Sequence, residues 1–354
     1  MLETEIVKLS AFDYSLPEGL IARYPLANRT DSRMLVLDRK TGHIEHRQFS
    51  DFPNYCQPGD ALVLNNAKVL PVRLIGHREG FTGEVEIFLL HPQNEARTEW
   101  LALTRPSKKL TTGTRVLFPN SSLLVTILEQ ATEGKARVSL SWEQAQSLDM
   151  ILETTGQMPL PPYLQRNAEA SDTERYQTVF AKTPGAQAAP TAGLHFSQAM
   201  LETLNTQGVS IAELSLLVSA GTFRPVQTDN IGDHQMSPEY YSLSEQSAEW
   251  INAAKTQSKR VIAVGTTSLK TLESIATKHA GKLRAESDWS DLFITPGFTF
   301  QVADRLLTNF HLPKSTLLML VSAFATRETI LKAYTEAIEE QYRFYSYGDC
   351  MLII

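Results

Sequence analysis

Two cysteines in 354 residues, Cys56 and Cys350, are too few for a disulfide framework, and they offer no C-x-x-C spacing for zinc. A reducing compartment fits that usage. Long apolar runs are missing too: "LLMLVSAFA" at 317–325 is about half the length a membrane span needs. The opening "MLETEIVKLSAFDYSLPEGL" has no basic stretch followed by an apolar one, so no signal peptide is expected and the chain reads as soluble and cytoplasmic. There is no excess of positive charge either. Lys and Arg number 33 against 39 Asp and Glu, a net charge of −6. That argues against a surface coated by nucleic acid, but it leaves room for a local basic patch. What is present is ordinary for a globular protein, 42 % hydrophobic and 20 % charged, and the length points to two domains.

The first half is written in short β-rich segments: "MLVLD", "ALVLN", "VLPVRLI", "EVEIFLL", "EWLALT", "RVLF", "SLLVTIL" and "ARVSLSW". Turns such as "GFTG", "TTGT" and "TEGK" separate them, a spacing that suggests a small barrel or sandwich. We place it at 60–151, left through the helical "EQAQSLDMILE". The second half alternates strands and helices. "SQAMLETLNTQG" has Ser197 as its N-cap and ends at Gly208; "SEQSAEWINAAKTQ", "SLKTLESIATKH" and "TRETILKAYTEAIEEQYRF" carry helical apolar stripes. "VSIAELSLLVS" and "RVIAVG" read as buried strands. The fold class is α/β: a mixed α/β main domain, 1–59 with 152–354, and an inserted small β-barrel domain, 60–151.

Four loop segments place Gly, Pro or hydroxyl residues beside a strand end or a helix start. In "RVIAVGTTSLKTLESI", Gly265, Thr266, Thr267 and Ser268 open a helix whose N–H groups favour an anion, although Thr267 or Ser268 as a plain N-cap explains the pattern equally. No P-loop spacing is present. In "NFHLPKSTLLMLVSAFA", Pro313 suits a first helical turn, and Lys314 and Ser315 sit at the positive end of the dipole. A lysine there is misplaced unless an anion is near; the alternative is a solvated Lys and a packed His311. "GAQAAPTAGLHFS" collects small residues, with Pro190, Thr191 and Gly193 before His195, so its backbone can approach a flat ligand or another backbone closely. "RFYSYGDCML", with Arg343 and Asp349, is too aromatic for a loose tail and is expected to be docked. In the barrel, Arg105, Lys108, Lys109 and Arg115 form a basic edge suited to phosphates, or a solvated face.

The blocks "FDYSLPEGLIARYP", "DSRMLVLDR", "MPLPPYLQR", "RYQTVFA", "AAPTAGLHF", "VIAVGTTSLKTLES", "TNFHLPKSTLLMLVSAFA" and "YRFYSYGD" resemble, in order and spacing, the S-adenosylmethionine:tRNA ribosyltransferase-isomerases of queuosine biosynthesis. The resemblance covers nearly the whole chain. It implies an α/β domain with an inserted barrel and an enzyme that uses S-adenosylmethionine as a substrate, without a metal. It implies transfer of the ribosyl group to 7-aminomethyl-7-deazaguanine at the tRNA wobble position, giving epoxyqueuosine, adenine and methionine. The partner is the anticodon arm of that tRNA; the enzyme is expected to be a monomer without a membrane partner. Under this reading His195, His311 and His234 are candidates for acid–base work, with Asp349 or Glu239 to orient a His or hold hydroxyls. Pro190, Thr191, Gly193, Gly221, Thr222, Gly265, Thr266, Thr267, Ser268, Lys314 and Ser315 are expected to hold S-adenosylmethionine. Arg105, Lys108, Lys109, Arg115 and Arg343 are expected to hold tRNA.

The chain departs from the family pattern at a cluster of positions. "LSLLVSAGTFRPV" has Leu217 and Ser219 where a His and a Gly are usual, and Ser237 stands where a second His is usual. Lys270 replaces an Arg, which keeps the charge and loses the bidentate fork, and "NNAKVLP" is likewise altered. These changes are compatible with retained activity, with a diverged paralogue of altered chemistry, or with a noncatalytic protein that binds tRNA or S-adenosylmethionine.

Overall fold

The computed structural model describes residues 7–132, 134–143, 145–219 and 226–354. A nine-stranded mixed sheet runs in the order Glu286–Ser290, Glu239–Leu243, Ser210–Leu216, Ala61–Asn65, Val261–Val264, Arg305–Asn309, Cys350–Ile353, Arg33–Leu37, Ile44–Gln48. Four central neighbours, from Ser210–Leu216 to Arg305–Asn309, are mutually parallel. Parallel strands are covered on both faces, which is why these read as unbroken apolar runs. Alternate residues serve two cores: Ala61, Val63, Val261, Ala263 and Leu306 join one, while Leu62, Leu64, Ile262, Val264 and Leu307 join the other.

The first and last strands of the chain meet inside this sheet. Cys350–Ile353 pairs parallel with Arg33–Leu37 and antiparallel with Arg305–Asn309, so the aromatic tail is docked as its sequence predicts. Helices cover the sheet. Ser197 caps Gln198–Thr206 by accepting from the Met200 N–H, as expected, and Arg327–Glu339 buries Ile330, Ala333, Tyr334 and Ala337. The helix expected from Pro313 begins instead at Thr316, with Ser315 as N-cap; Lys314 adopts a left-handed φ of +56° that a helix cannot continue.

A closed antiparallel barrel follows the order Lys135–Ser141, Glu99–Arg105, Glu84–Pro92, Arg73–Arg78, Arg115–Leu117, Leu124–Thr132. Inward positions such as Leu74, Ile87, Ala102, Val125 and Val138 alternate with outward ones, as the strand period requires. The helix Leu148–Thr155 adds Leu148, Ile151 and Leu152 to the same core. The strand "ALVLN", expected to open the barrel, is instead the fourth strand of the large sheet, between Ser210–Leu216 and Val261–Val264. Among the described residues no helix is long and apolar enough to cross a membrane.

Candidate active site

In open α/β sheets, ligands bind beyond the carboxyl ends of the parallel strands. Here Leu216, Asn65, Val264 and Asn309 mark those ends, and a cleft opens beside them. Its walls come from separated sequence blocks: Pro190 and Thr191, Gly265 to Thr267 with Lys270, Thr308 to His311, Ser315, and Tyr345 with Ser346. Phe293, Ile294, Leu317 and Leu320 supply apolar wall, and Tyr163 leans on Tyr345 with ring centroids 4.8 Å apart.

Gly265 starts the helix Gly265–Lys278 with φ +87°, a conformation that strains any side chain. No side chain caps that helix; its cap position is Val264. The N-cap alternative for Thr267 is therefore not what the structure has. Thr267 Oγ1 instead accepts from Asn65 Nδ2 at 3.2 Å, while Asn65 Oδ1 accepts the N–H groups of Leu216 (3.0 Å) and Ala67 (3.1 Å). One buried amide thus ties the strand ends together and leaves the uncapped helix start facing the cleft. Helix starts carry roughly half a positive charge. One turn further on, Lys270 Nζ donates to Glu239 Oε2 at 3.1 Å, both side chains buried, and Glu239 Oε1 accepts from the Ser219 N–H at 3.3 Å.

Asn309 is 2 % exposed. Its amide NH2 faces the carbonyls of Tyr345 (3.1 Å) and Asp349 (3.4 Å) and the His195 Nε2 (3.2 Å). Two carbonyls at one end of the amide identify that end as NH2. His195 Nε2 must then be the acceptor, and its Nδ1–H donates to Ser32 Oγ at 2.8 Å. Ser32 is free to accept there because its own proton goes to the Arg29 carbonyl. The consequence falls on the other end of the amide: Asn309 Oδ1 is buried with no partner among the described residues, in a side chain that lines the cleft.

His311 is the one of the three expected imidazoles on the cleft wall. Thr308 Oγ1 sits 2.8 Å from its Nε2, and the Thr308 hydroxyl donates to the Asn309 carbonyl at 3.2 Å. A hydroxyl has one proton, so Nε2–H donates to Thr308 and the lone pair is left on Nδ1. The Tyr334 hydroxyl accepts the His311 main-chain N–H at 2.9 Å and Tyr14 donates to its carbonyl, which fixes the backbone.

The other expected residues lie elsewhere. His195 stands behind Asn309 rather than on the cleft, and His234 packs edge-on against Phe293 at 5.3 Å. Asp349 is a buried tie, its carboxylate accepting the N–H groups of Arg33 (2.9 Å) and Arg343 (2.8 Å); burial raises its pKa. Lys314 pairs with Asp13 at 2.7 Å, which supplies the anion its position called for. Gly193 is required by packing, since a Cβ there would lie 2.7 Å from Phe180 Cζ. Ser268 is fully buried inside its helix. Arg343 turns inward to the Tyr24 carbonyl rather than out to a phosphate. Arg115 pairs with Glu79 at 3.0 Å, while Arg105, Lys108 and Lys109 are exposed and form no ion pair among the described residues. Gly221 and Thr222 lie outside the described residues. Sequence reasoning did not single out Asn309, Thr308, Tyr163 or Tyr345; the polar pair Thr308-Asn309 ending a buried strand was the available signal.

Burial pushes the His195 imidazole down from its ordinary range to about 3, helped by the Arg343 and Arg29 charges, and burial alone takes His311 to about 3. Both are neutral in the fold, whereas the unfolded chain protonates them near 6.5. Their contribution is therefore fully present above pH 6.5 and is lost as the pH falls toward 3. Denaturant titrations at pH 7 and pH 5 should differ by about 2 kcal/mol for each imidazole, with the lower stability at pH 5. A His195→Asn, His311→Asn double variant should show a flatter dependence.

The model of the queuosine biosynthesis protein family matches residues 9–353. The chain belongs to that family. Among solved structures, the S-adenosylmethionine tRNA ribosyltransferase of Thermotoga maritima is 34 % identical, covers 98 % of this chain and 100 % of its own, and superposes with a TM-score of 0.54. Five of the eight sequence blocks quoted above contribute residues to this one cleft. Four positions expected from sequence to depart from the family pattern divide: Lys270 is on the cleft wall, whereas Leu217, Ser219 and Ser237 line a neighbouring groove against the barrel. Among the described residues no group of three or more His, Cys, Asp or Glu is arranged to hold a metal.

Proposed function

We propose that this chain is an S-adenosylmethionine-dependent tRNA ribosyltransferase that transfers the ribosyl group to 7-aminomethyl-7-deazaguanine at the wobble position and isomerises it to the epoxycyclopentane of epoxyqueuosine. The observation that carries the reading is the charge pattern of the cleft. S-adenosylmethionine presents a carboxylate, an ammonium and a sulfonium, with a flat base at the far end. The uncapped helix start at Gly265–Thr267 and the Lys270 ammonium suit the carboxylate. Asn309 Oδ1, an acceptor with no partner among the described residues, suits the ammonium beside it, because Thr308 and Asn309 end the strand paired with Val261–Val264, which itself leads into Gly265. Phe293, Ile294, Leu317 and Leu320 offer apolar wall to the adenine.

The reaction needs removal of a proton from the ribose carbon next to the sulfonium, departure of adenine and attack by a neutral substrate amine. His311 is placed for the proton: burial keeps its imidazole neutral at pH 7, its Nδ1 holds the free lone pair and its ring is fixed by Thr308. The adjacent sulfonium charge, which acidifies the carbon, is what lets so weak a base serve. We assign His195 a positioning role through Asn309, in place of the acid–base role expected from sequence, because both its nitrogens are occupied and it does not line the cleft. His234 and Asp349 are likewise left out of the chemistry. Incubation of the protein with S-adenosylmethionine and tRNA bearing the aminomethyl base should release adenine and methionine in equal amounts, only when both substrates are present. A His311→Gln variant should bind S-adenosylmethionine and turn over roughly 10² to 10⁴ times more slowly. Adenine release without tRNA modification would mean altered chemistry, and retained tRNA binding without release would mean a binding protein.

A further inference from the structure

Beside the cleft, between the barrel and the large sheet, runs a second groove that shares Val218 and Glu239 with it as common wall. Its barrel side is the outward face of two paired strands. Along Glu99–Arg105, Trp100 and Ala102 point into the barrel core, so Leu101, Leu103 and Arg105 fall on the outer face. Lys135 is the cross-strand partner of Leu103 and shares that face. Leu101, Leu103 and Lys135 line the groove, and Arg105 continues the row, with Lys108 and Lys109 in the short turn that follows.

The charges along this row are unequal in their commitments. Arg97 is held by Asp149 at 2.8 Å, and Arg137 by Glu99 (3.7 Å) and Glu129 (2.8 Å). Glu86, opposite Arg105 in the ladder, is taken by Arg73 at 2.9 Å. Lys135, Arg105, Lys108 and Lys109 have no ion pair among the described residues. A run of cations with no ion pair among the described residues thus leads along the barrel to the groove.

The opposite wall is the edge of the nine-stranded sheet. Trp289, on the edge strand Glu286–Ser290, is 58 % exposed, and the Tyr240 ring meets it edge-on at 5.7 Å. Both rings line the groove. An exposed indole braced by a second aromatic, facing a row of cations across an apolar floor, is the arrangement that holds single-stranded nucleic acid: bases stack on the rings while phosphates follow the cations.

We infer that this groove takes an unpaired RNA nucleotide and its flanking phosphates, with Trp289 as the stacking platform and Lys135, Arg105, Lys108 and Lys109 as the phosphate track. The nucleotide is delivered past Val218 and Glu239 into the cleft. The inference rests on the tRNA reading above and gives it a surface. It also gives Leu217, Ser219 and Ser237 a place: they line the nucleotide's groove rather than the cleft that would hold S-adenosylmethionine.

The test uses the full-length protein and an RNA hairpin with the anticodon-arm sequence, followed by fluorescence anisotropy at several salt concentrations. Trp289→Ala should weaken hairpin binding about tenfold or more, since stacking on an aromatic carries that much per base. Trp289→Phe should restore most of it. An Arg105→Ala, Lys135→Ala double variant should weaken binding and reduce the slope of log Kd against log salt by about 1.4, two single-strand phosphate contacts. S-adenosylmethionine affinity measured without RNA should be unchanged in all three, and in turnover Trp289→Ala should raise KM for tRNA alone. Variants that bind the hairpin as the wild type does would overturn this inference while leaving the functional reading intact. So would an RNA duplex of the stem that competes as well as the hairpin. A wild type that binds S-adenosylmethionine but no hairpin at any salt would overturn both.

Discussion

Lys270→Met should cost about 1–3 kcal/mol of stability, because it removes the buried charged donor that Glu239 Oε2 accepts from. Neither group can turn to water: Lys270 is 5 % and Glu239 6 % exposed. A second substitution separates the structural part from the functional part. Pairing Lys270→Met with Glu239→Gln removes both charges, so much of the lost stability should return. S-adenosylmethionine binding should not return, because the ammonium proposed to meet the ligand's carboxylate is gone in both variants. Lys270→Arg keeps the charge and presents a planar two-pronged fork, and should retain both stability and binding. Chemical denaturation with calorimetric titration of S-adenosylmethionine checks all three. Full binding by the doubly neutral variant would show that the pair only packs.

Asn309→Ala should weaken S-adenosylmethionine binding by about 10- to 100-fold, the range for a hydrogen bond to a charged group. It should also cost about 1–3 kcal/mol of stability, because the Tyr345 and Asp349 carbonyls and the His195 Nε2 lose their donor. Stability alone does not identify the lost contact, so the informative quantity is a ratio taken within each protein. The wild type should prefer S-adenosylmethionine over an analogue that lacks the α-amino group, and Asn309→Ala should bind the two alike. If the variant keeps the wild-type preference, the unpartnered Oδ1 is not what meets the ammonium. His195→Asn should lower affinity through a less firmly held Asn309 while leaving the pH dependence of turnover above pH 5 unchanged, because the imidazole it removes is already neutral there.

Much of the fold can be read from local pattern. Ser197 before "QAMLETLNTQG" announces a capped helix because its side chain does what an N-cap does, and the aromatic tail "RFYSYGDCML" announces docking because such a segment is costly to leave in water. The position of "ALVLN" cannot be read that way. Its five residues are all buried, and an unbroken apolar run fits a barrel strand or a central parallel strand equally; only its neighbours in space decide. Lys314 shows a related limit. A lysine before a helix predicts an anion, and the anion is Asp13, 301 positions earlier in the chain and invisible to any local reading.

The site divides along the same line. Gly265, Thr266 and Thr267 are legible because glycine and a helix start leave a local signature. The relation among Ser32, His195 and Asn309 is not, since it joins three segments and depends on which end of an amide faces two carbonyls. From sequence a histidine near neutrality suggests acid–base work. In the fold, burial removes His195 and His311 from the range in which they would titrate, and the neighbours of each ring nitrogen decide what remains for it to do. The groove was half visible: its cations stand in the sequence as a basic edge, but Trp289, on the far wall, belongs to a strand almost two hundred residues later.

The central claim is that the ribosyl group of S-adenosylmethionine, and not its methyl group, passes to tRNA. It is tested most directly with two preparations of S-adenosylmethionine, one labelled in the ribose and one in the methyl group, each incubated with the protein and tRNA bearing the aminomethyl base. The account predicts label in the tRNA from the ribose preparation only, with the methyl label recovered in methionine. Methyl label in the tRNA, or ribose label that stays with the small molecules while the tRNA is bound, would contradict it.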